Sequence, residues 1–235
     1  MIYVYALIDS PAPDSPALCG LEEMPVRIVN VGQIWAICSD HTSAIAPSAE
    51  NLWRHEAVIE SFMSDERRGL LPARFSTNFA NENELTRILS EHRERLMAAF
   101  DRVRGCVELG VRIFSRAGGI SASRPVAADN GREYMLARLA ADRQRRGTAE
   151  QVAAVLADME RALNPLARAV AQGSATLEPL PMSIAYLVPR NRAEEFSVRV
   201  REVAAMHPSF NLLCTGPWPA YHFAPSLAVA EALHV

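Results

Sequence analysis

The sequence predicts an α+β protein of two domains. Runs typical of β-strands and apolar stripes at helical spacing follow one another without the strict strand–helix alternation of a doubly wound parallel sheet. The charges also divide near residue 104. Residues 1–104 carry 10 arginines and 15 acidic residues (net −5), whereas residues 105–235 carry 14 arginines and 12 acidic residues (net +2). We therefore expect an α+β domain over 1–104 and a second α+β domain, with a long helical insertion, over 105–235.

The first domain contains four runs with the composition of strands: 2–8, 25–31, 34–39 and 70–77. In the first run, aromatic and aliphatic residues alternate with a period of two. Gly32-Gln33 separates the second run from the third and predicts a β-hairpin. Pro72 in the fourth run indicates that the strand either lies at an edge or begins after Pro72, because proline has no backbone N–H to donate to a neighbouring strand.

Two helices are predicted in the same domain. The first covers 49–66 and has Ser48 as a suitable N-cap. The second begins after Asn81, where Glu84 completes a capping-box pattern, and ends at Gly105. Its apolar residues recur at helical spacing and predict one buried face: Leu85, Ile88, Leu89, Leu96, Phe100 and Val103.

The second domain is predicted to contain three strands and three helices. The strands cover 106–115, 182–188 and 210–215, and the helices cover 133–146, a segment that begins after Thr148, and 192–206. Gly147 separates the first two helices. Pro165 lies within the apolar pattern of the second helix, so we expect a kink or break near Asn164.

Composition excludes several classes of function. The chain has a net charge of −3 and all its 24 basic residues are arginines, so it has no basic excess with which to bind nucleic acid nonspecifically. No apolar run approaches the roughly 18 residues of a membrane span, and the opening residues do not predict a secretory signal. The four cysteines are far apart and form no metal-binding pair. Without lysine, Schiff-base chemistry and the lysine of a phosphate-binding loop are excluded.

His55 and Glu56 are the strongest catalytic candidates in the sequence. A zinc-protease helix carries histidines at i and i+4, but position 59 is Ile, so no metal site is predicted. Adjacent helical residues point about 100° apart, which places this pair poorly for acid–base work in one cleft. A buried, hydrogen-bonded structural histidine is the simpler interpretation of His55.

Arg74 and Phe75 lie in the proline-containing strand run. An arginine buried beside apolar neighbours needs a carboxylate partner, and Glu56 or Glu60 could supply it. An architectural ion pair and an anion-binding site are both compatible with this pattern.

The segment 215–223 is the least ordinary in the chain. Pro217 and Pro219 stiffen the backbone around Trp218, and Tyr221 follows shortly after. Either these aromatic residues close the core, or they form a rigid apolar contact surface for a partner.

Five motifs occur in an order that resembles a known family. They are the opening Tyr3-Val-Tyr-Ala-Leu, the helical Arg54-His-Glu-Ala-Val-Ile-Glu, Leu71-Pro-Ala-Arg-Phe, Glu108-Leu-Gly-Val-Arg and Thr215-Gly-Pro-Trp-Pro. Together they resemble the gas vesicle proteins of the F and L type, from the first strand to about Phe223. Two departures, Ser76 where the family usually has glycine and Leu109 where it has tryptophan, leave the choice between F and L open.

The resemblance implies a non-enzymatic assembly factor or minor structural component of gas vesicles, the gas-filled protein shells in the prokaryotic cytoplasm. The implied fold has two α+β domains, one of them ferredoxin-like with a helical extension, and no metal or cofactor. The implied partners are the small hydrophobic gas vesicle shell protein and other gas vesicle accessory proteins. The motif residues are implied to have structural or partner-contact roles: His55, Glu56, Arg74, Phe75, Gly216, Pro217, Trp218, Pro219 and Tyr221.

Two further expectations complete the sequence-based hypothesis. The first domain should make the shell-protein contact, because its hairpin and edge strand offer unpaired backbone groups. The alternative function is a ferredoxin-like module that senses a small ligand, which predicts a concave pocket near Arg74 and His55. The residues do not indicate an oligomeric state.

Overall fold

The computed structural model describes residues 1–11, 18–116, 131–172 and 182–227. The chain forms two compact units: Met1–Glu108 together with the C-terminal segment that begins at Pro217, and Leu109–Gly216. Each unit combines helices with a β-sheet, which confirms the α+β class. The structure thus groups residues 217–227 with the first unit, whereas the sequence-based division placed them with the second; residues 228–235 lie outside the described residues.

The sheet of the first unit is built around its first strand. Its strands are β1 (Ile2–Ile8), β2 (Arg27–Val31), β3 (Ile34–Asp40), β4 (Leu70–Pro72) and β5 (Asn78–Phe79). In the order β2-β3-β1-β4, with β5 also paired to β1, all described pairings in this sheet are antiparallel. All seven residues of β1 are buried, so this strand is covered on both faces.

Two turns of this sheet bear on the sequence predictions. The predicted hairpin is confirmed: Val31 pairs with Ile34, and Gly32 takes a positive φ of 68°. The single strand predicted over 70–77 is wrong, because the backbone turns between β4 and β5. In that turn both the N–H and the hydroxyl of Thr77 donate to the carbonyl of Arg74, and Ser76 has a φ of 68°.

Three helices cover this sheet: α1 (Ala49–Ser61), α2 (Glu82–Glu91) and α3 (Arg93–Val103). Ser48 caps α1 by accepting from the N–H of Asn51. Asn81 caps α2 in the same way, and the Glu84 carboxylate reaches back to the N–H of Ala80. The single helix predicted from Asn81 to Gly105 is wrong in one respect, since the helical backbone breaks at the exposed His92.

The second unit has the element order β-α-β-β-α-β. Its elements are β6 (Cys106–Ser115), α4 (Gly131–Leu163), β7 (Ala169–Gln172), β8 (Met182–Pro189), α5 (Ala193–Met206) and β9 (Phe210–Trp218); β6 begins and β9 ends within the residues grouped with the first unit. The sheet order is β7-β8-β6-β9. This succession is that of split β-α-β motifs, and the ferredoxin-like assignment stays a prediction.

Of the two interruptions predicted for helix α4, at Gly147 and near Asn164, the structure has only the second. The helix runs unbroken through Gly147, where two separate helices were predicted. At its end, Pro165 stops the helix as expected, but a short 3-10 turn and the strand β7 follow, instead of a continued helix. The four residues of β7 were missed because Leu166 and Val170 fit the preceding helical spacing.

Candidate functional site

The candidate site lies in the first unit, where α1 packs on β1. The period of two along β1 puts Tyr3 and Tyr5 on the same face of the strand, and α1 places His55 against both rings. The ring centroid of His55 lies 5.7 Å from each tyrosine ring and 5.7 Å from the ring of Phe75. Tyr3 and Tyr5 belong to the buried core of the unit, the partly buried Phe75 packs against it, and His55 is a buried polar residue.

Both ring nitrogens of His55 have hydrogen-bond partners. The Nε2 atom lies 3.0 Å from the backbone oxygen of Ala73, which can only accept, so Nε2 carries the proton. The Nδ1 atom therefore accepts from the hydroxyl of Tyr3, at 2.9 Å. That hydroxyl in turn accepts from the N–H of Ser76, at 3.2 Å. The neutral imidazole thus links α1, β1 and the turn after β4 through hydrogen bonds.

Burial lowers the pKa of His55 to about 4, while its hydrogen bond to Ala73 acts in the opposite direction. The side chain is only 1% exposed. At neutral pH the imidazole is therefore neutral, its Nε2 proton is donated to the Ala73 carbonyl and its Nδ1 atom accepts from Tyr3, so neither nitrogen is open to a substrate. This geometry supports the structural interpretation of His55.

We predict that the protein loses stability on acidification because of His55. The unfolded chain binds a proton on this residue near pH 6.5 and the folded chain only near pH 4, so the contribution is complete above 6.5 and is lost as the pH falls towards 4. The loss is about 1.4 kcal/mol per pH unit, or roughly 3 kcal/mol in total. Denaturant unfolding of wild type and His55→Gln between pH 7.5 and 4 measures it. The free energy of unfolding of the variant should depend less on pH than that of wild type. Parallel plots of free energy against pH for the two proteins would contradict the prediction.

A second chain of hydrogen bonds begins at Tyr5. Its hydroxyl accepts from the N–H of Leu21 and lies 2.8 Å from the Ser39 hydroxyl, which lies 2.8 Å from Nε2 of His41. The Nδ1 atom of His41 lies 3.3 Å from a carboxylate oxygen of Glu22. Sequence reasoning missed this chain. Its only signal is the pair of tyrosines at alternate positions of a strand that is otherwise aliphatic.

Glu56 faces the C-terminal segment. Its carboxylate accepts a hydrogen bond of 2.6 Å from the hydroxyl of Tyr221. Burial raises the pKa of Glu56, against the effect of this hydrogen bond, and burial also raises the pKa of Tyr221. Arg74 is exposed, so the burial from which an ion pair with Glu56 was predicted does not exist.

Two more contacts fix the C-terminal segment to the first unit. The Glu108 carboxylate accepts from the backbone N–H of His222 at 2.8 Å and from its Nδ1 at 2.6 Å. The guanidinium of Arg102 donates to the carbonyl of Phe223, whose side chain is 3% exposed. Sequence reasoning missed Glu108 and His222 as partners.

The Gly-Pro-Trp-Pro motif does not bury its tryptophan. Pro217 and Trp218 end strand β9, Gly216 takes a φ of 114°, and the backbone turns after Pro219. Trp218 is 46% exposed, so a core position is wrong for this residue. Phe223 and Ala220 occupy the buried positions instead.

A cleft lies beside the turn that follows β4. Arg74, Phe75 and Ser76 line one side, and Tyr221 with residues 224–227 lines the other. His55 is not among the lining residues. The expected pocket near Arg74 thus has a counterpart, but it does not bring Arg74 and His55 together.

The described ranges contain no cluster of three His, Cys, Asp or Glu side chains that could hold a metal ion. Within the same ranges, no helix is long and apolar enough to cross a membrane.

Comparison with known proteins gives a consistent result. The family model described as gas vesicle synthesis protein GvpL/GvpF matches residues 1–225. Gas vesicle protein L2 of Halobacterium salinarum is 27% identical over 97% of this chain and 93% of its own length. Gas vesicle protein F of Dolichospermum flosaquae is 23% identical over 86% of this chain and 88% of its own.

The fold has solved counterparts. The crystal structure of the gas vesicle protein GvpF from Anabaena sp. superposes with a TM-score of 0.79 at 21% identity, covering 95% of this chain and 98% of that one. The GvpF structure from Microcystis aeruginosa gives a TM-score of 0.71 at 19% identity, with the same coverage. At these identities the likeness shows a shared fold.

Proposed function

The chain belongs to the GvpL/GvpF family of gas vesicle synthesis proteins, and on this premise we propose that it is a non-enzymatic assembly factor or minor structural component that binds the gas vesicle shell protein. Its role is in gas vesicles, and its relatives come from prokaryotes. The family match over residues 1–225 is the observation that carries the proposal. Other gas vesicle accessory proteins are its further partners in this proposal.

The site geometry supports a role without catalysis. Both nitrogens of His55 are bound within the core, and the carboxylate of Glu56 accepts from Tyr221. A general acid or base must reach the proton that it transfers. Neither residue is among those that line the cleft beside Arg74, and neighbours on a helix point in different directions.

The first unit is the proposed site of the contact. The strand β2 forms an edge of its sheet, and the exposed apolar residues Leu52 and Trp53 lie on α1 of the same unit. An edge strand and an exposed aromatic side chain are the features with which a protein can cover the apolar surface of a partner.

We expect immobilised full-length chain to retain purified shell protein from solution. Beads that carry an unrelated α+β protein serve as the control for adsorption of a hydrophobic protein. Retention above that control, saturable with shell-protein concentration, is the expected result. Absence of retention, also after addition of the other gas vesicle accessory proteins, would contradict the proposal.

A small-ligand sensor is the second candidate, and the cleft beside Arg74, Phe75 and Tyr221 is the observation that favours it. A ligand that binds only the folded state raises the melting temperature, and the rise increases with the ratio of ligand concentration to Kd. A metabolite screen by thermal shift, with Tyr221→Phe and Arg74→Ala as variants, distinguishes this function. A hit that raises the melting temperature of wild type and not of the variants would support sensing.

A further inference from the structure

The outward face of α1 carries an apolar stripe. Ala49, Trp53 and Ala57 follow one another at spacings of four, which places them on one line along the helix, and all three are exposed. Trp53 is 76% exposed, more than any other large apolar side chain in the described part of the chain. We call this surface the Trp53 face.

The helix does not need Trp53 for its own packing. The opposite side of α1 buries His55, Val58 and Ile59 against the sheet, so the element is anchored without the indole. An exposed indole costs free energy in water, and tryptophan is enriched where an interface is formed. The Trp53 face is therefore a candidate interaction surface.

Carboxylates surround this stripe. Glu50 lies at i−3 from Trp53 and Glu60 at i+3 from Ala57, so both exposed carboxylates border the stripe, whereas the Glu56 carboxylate is already bound by Tyr221. The guanidinium of Arg54 is already shared, at 2.7 Å from Glu23 and 3.6 Å from Glu50. The local excess of negative charge is complementary to a basic partner.

The small residues on either side of Trp53 indicate which secondary structure the bound segment of the partner has. Alanines one turn before and one turn after the indole leave shallow surface on either side of it, into which side chains of another helix can pack. An extended partner would pair with an edge strand instead, because a helix offers no free backbone groups along its side. The occupant is thus an amphipathic helix with basic residues flanking an apolar stripe.

We propose that the Trp53 face docks a basic amphipathic helix of the shell protein. In this arrangement the indole packs against the apolar stripe of the partner, and the glutamate rim pairs with its basic flanks. The inference rests on the proposed function, since it names the surface by which the shell protein is bound.

The test uses the full chain and purified shell protein, with retention measured as a binding curve at several salt concentrations. Trp53→Ala should weaken retention about tenfold or more. Glu60→Arg should weaken it and also reduce its dependence on salt, because one favourable charge pair becomes repulsive. The matched controls are Leu213→Ala, another exposed large apolar side chain, and Glu94→Arg, another exposed helical glutamate of the first unit, and Trp218→Ala is measured separately as the alternative contact. Both controls should bind like wild type, and all four variants should keep the wild-type melting temperature.

Each other outcome has a distinct meaning. If wild type does not retain the shell protein, the proposed function fails. If wild type binds and Trp53→Ala binds equally well, the function stands and the Trp53 face is wrong as its surface; loss in Trp218→Ala alone would place the contact at the Gly-Pro-Trp-Pro motif. If Trp53→Ala loses binding but Glu60→Arg does not, the inference that the bound helix is basic is wrong. If the variants change only self-association in size-exclusion chromatography, the occupant is a second copy of this chain.

Discussion

Replacing Phe223 by alanine is expected to destabilise the first unit by about 3–5 kcal/mol. The ring is 3% exposed, and deletion of a buried phenylalanine removes both its transfer free energy and its packing contacts. The guanidinium of Arg102 lies 5.9 Å above the ring and also bonds to the carbonyl of the same residue. Denaturant unfolding followed by far-UV circular dichroism measures the loss.

The matched control is Trp218→Ala, five residues earlier in the same segment. Trp218 is 46% exposed, so its truncation should change the free energy of unfolding by less than about 1 kcal/mol. The Phe223 variant should also be cleaved faster by protease within residues 217–227, because the segment loses its main buried anchor. Equal stabilities for the two variants would contradict the assignment of Phe223 as that anchor.

The parts of the fold that depend on local pattern could be predicted from the sequence. The alternation in Ile2–Ile8, the hairpin at Gly32 and the caps at Ser48 and Asn81 each depend on residues close together in the chain. The α+β class follows from the order of these elements. Such signals need no knowledge of tertiary packing.

The errors occur where tertiary context overrides local preference. Gly147 lies inside α4, although glycine costs about 1 kcal/mol relative to alanine in a helix. The sequence around the polar His92 does not indicate a turn, yet the helix breaks at this residue. Strand β9 continues into Pro217, which an edge strand tolerates because its outer side needs no donated hydrogen bond.

The site could be predicted in part. A buried structural role for His55 follows from its place on an apolar helix face, and the structure adds the identity of its two partners. The contact of Glu56 with Tyr221 spans 165 residues of sequence, and no local pattern indicates it. The same holds for Glu108 and His222. Such long-range polar pairs depend on the order of strands in the sheet. Composition and periodicity do not determine that order.

Replacing Gly20 by alanine is expected to be among the most damaging single changes in the first unit. A Cβ atom at this position would lie 2.1 Å from the hydroxyl oxygen and 2.8 Å from Cζ of Tyr5. Tyr5 has no exposed surface, and its ring packs against Tyr3 and His55, so it cannot move aside. Overpacking costs about 1–3 kcal/mol, and loss of the hydrogen bonds to Leu21 and Ser39 adds about 1–3 kcal/mol.

A double-mutant cycle with Tyr5→Phe isolates the steric cause. Tyr5→Phe alone should destabilise, because Ser39 and the N–H of Leu21 lose a buried partner. In the Gly20→Ala background, the same change also removes the hydroxyl oxygen that the new Cβ atom contacts most closely, so it should cost less or restore stability. The coupling free energy from denaturant unfolding of the four proteins should therefore be favourable by about 1–3 kcal/mol. Additive effects would mean that Gly20→Ala acts through the backbone and not through Tyr5, and would remove the clash as the reason that glycine is required there.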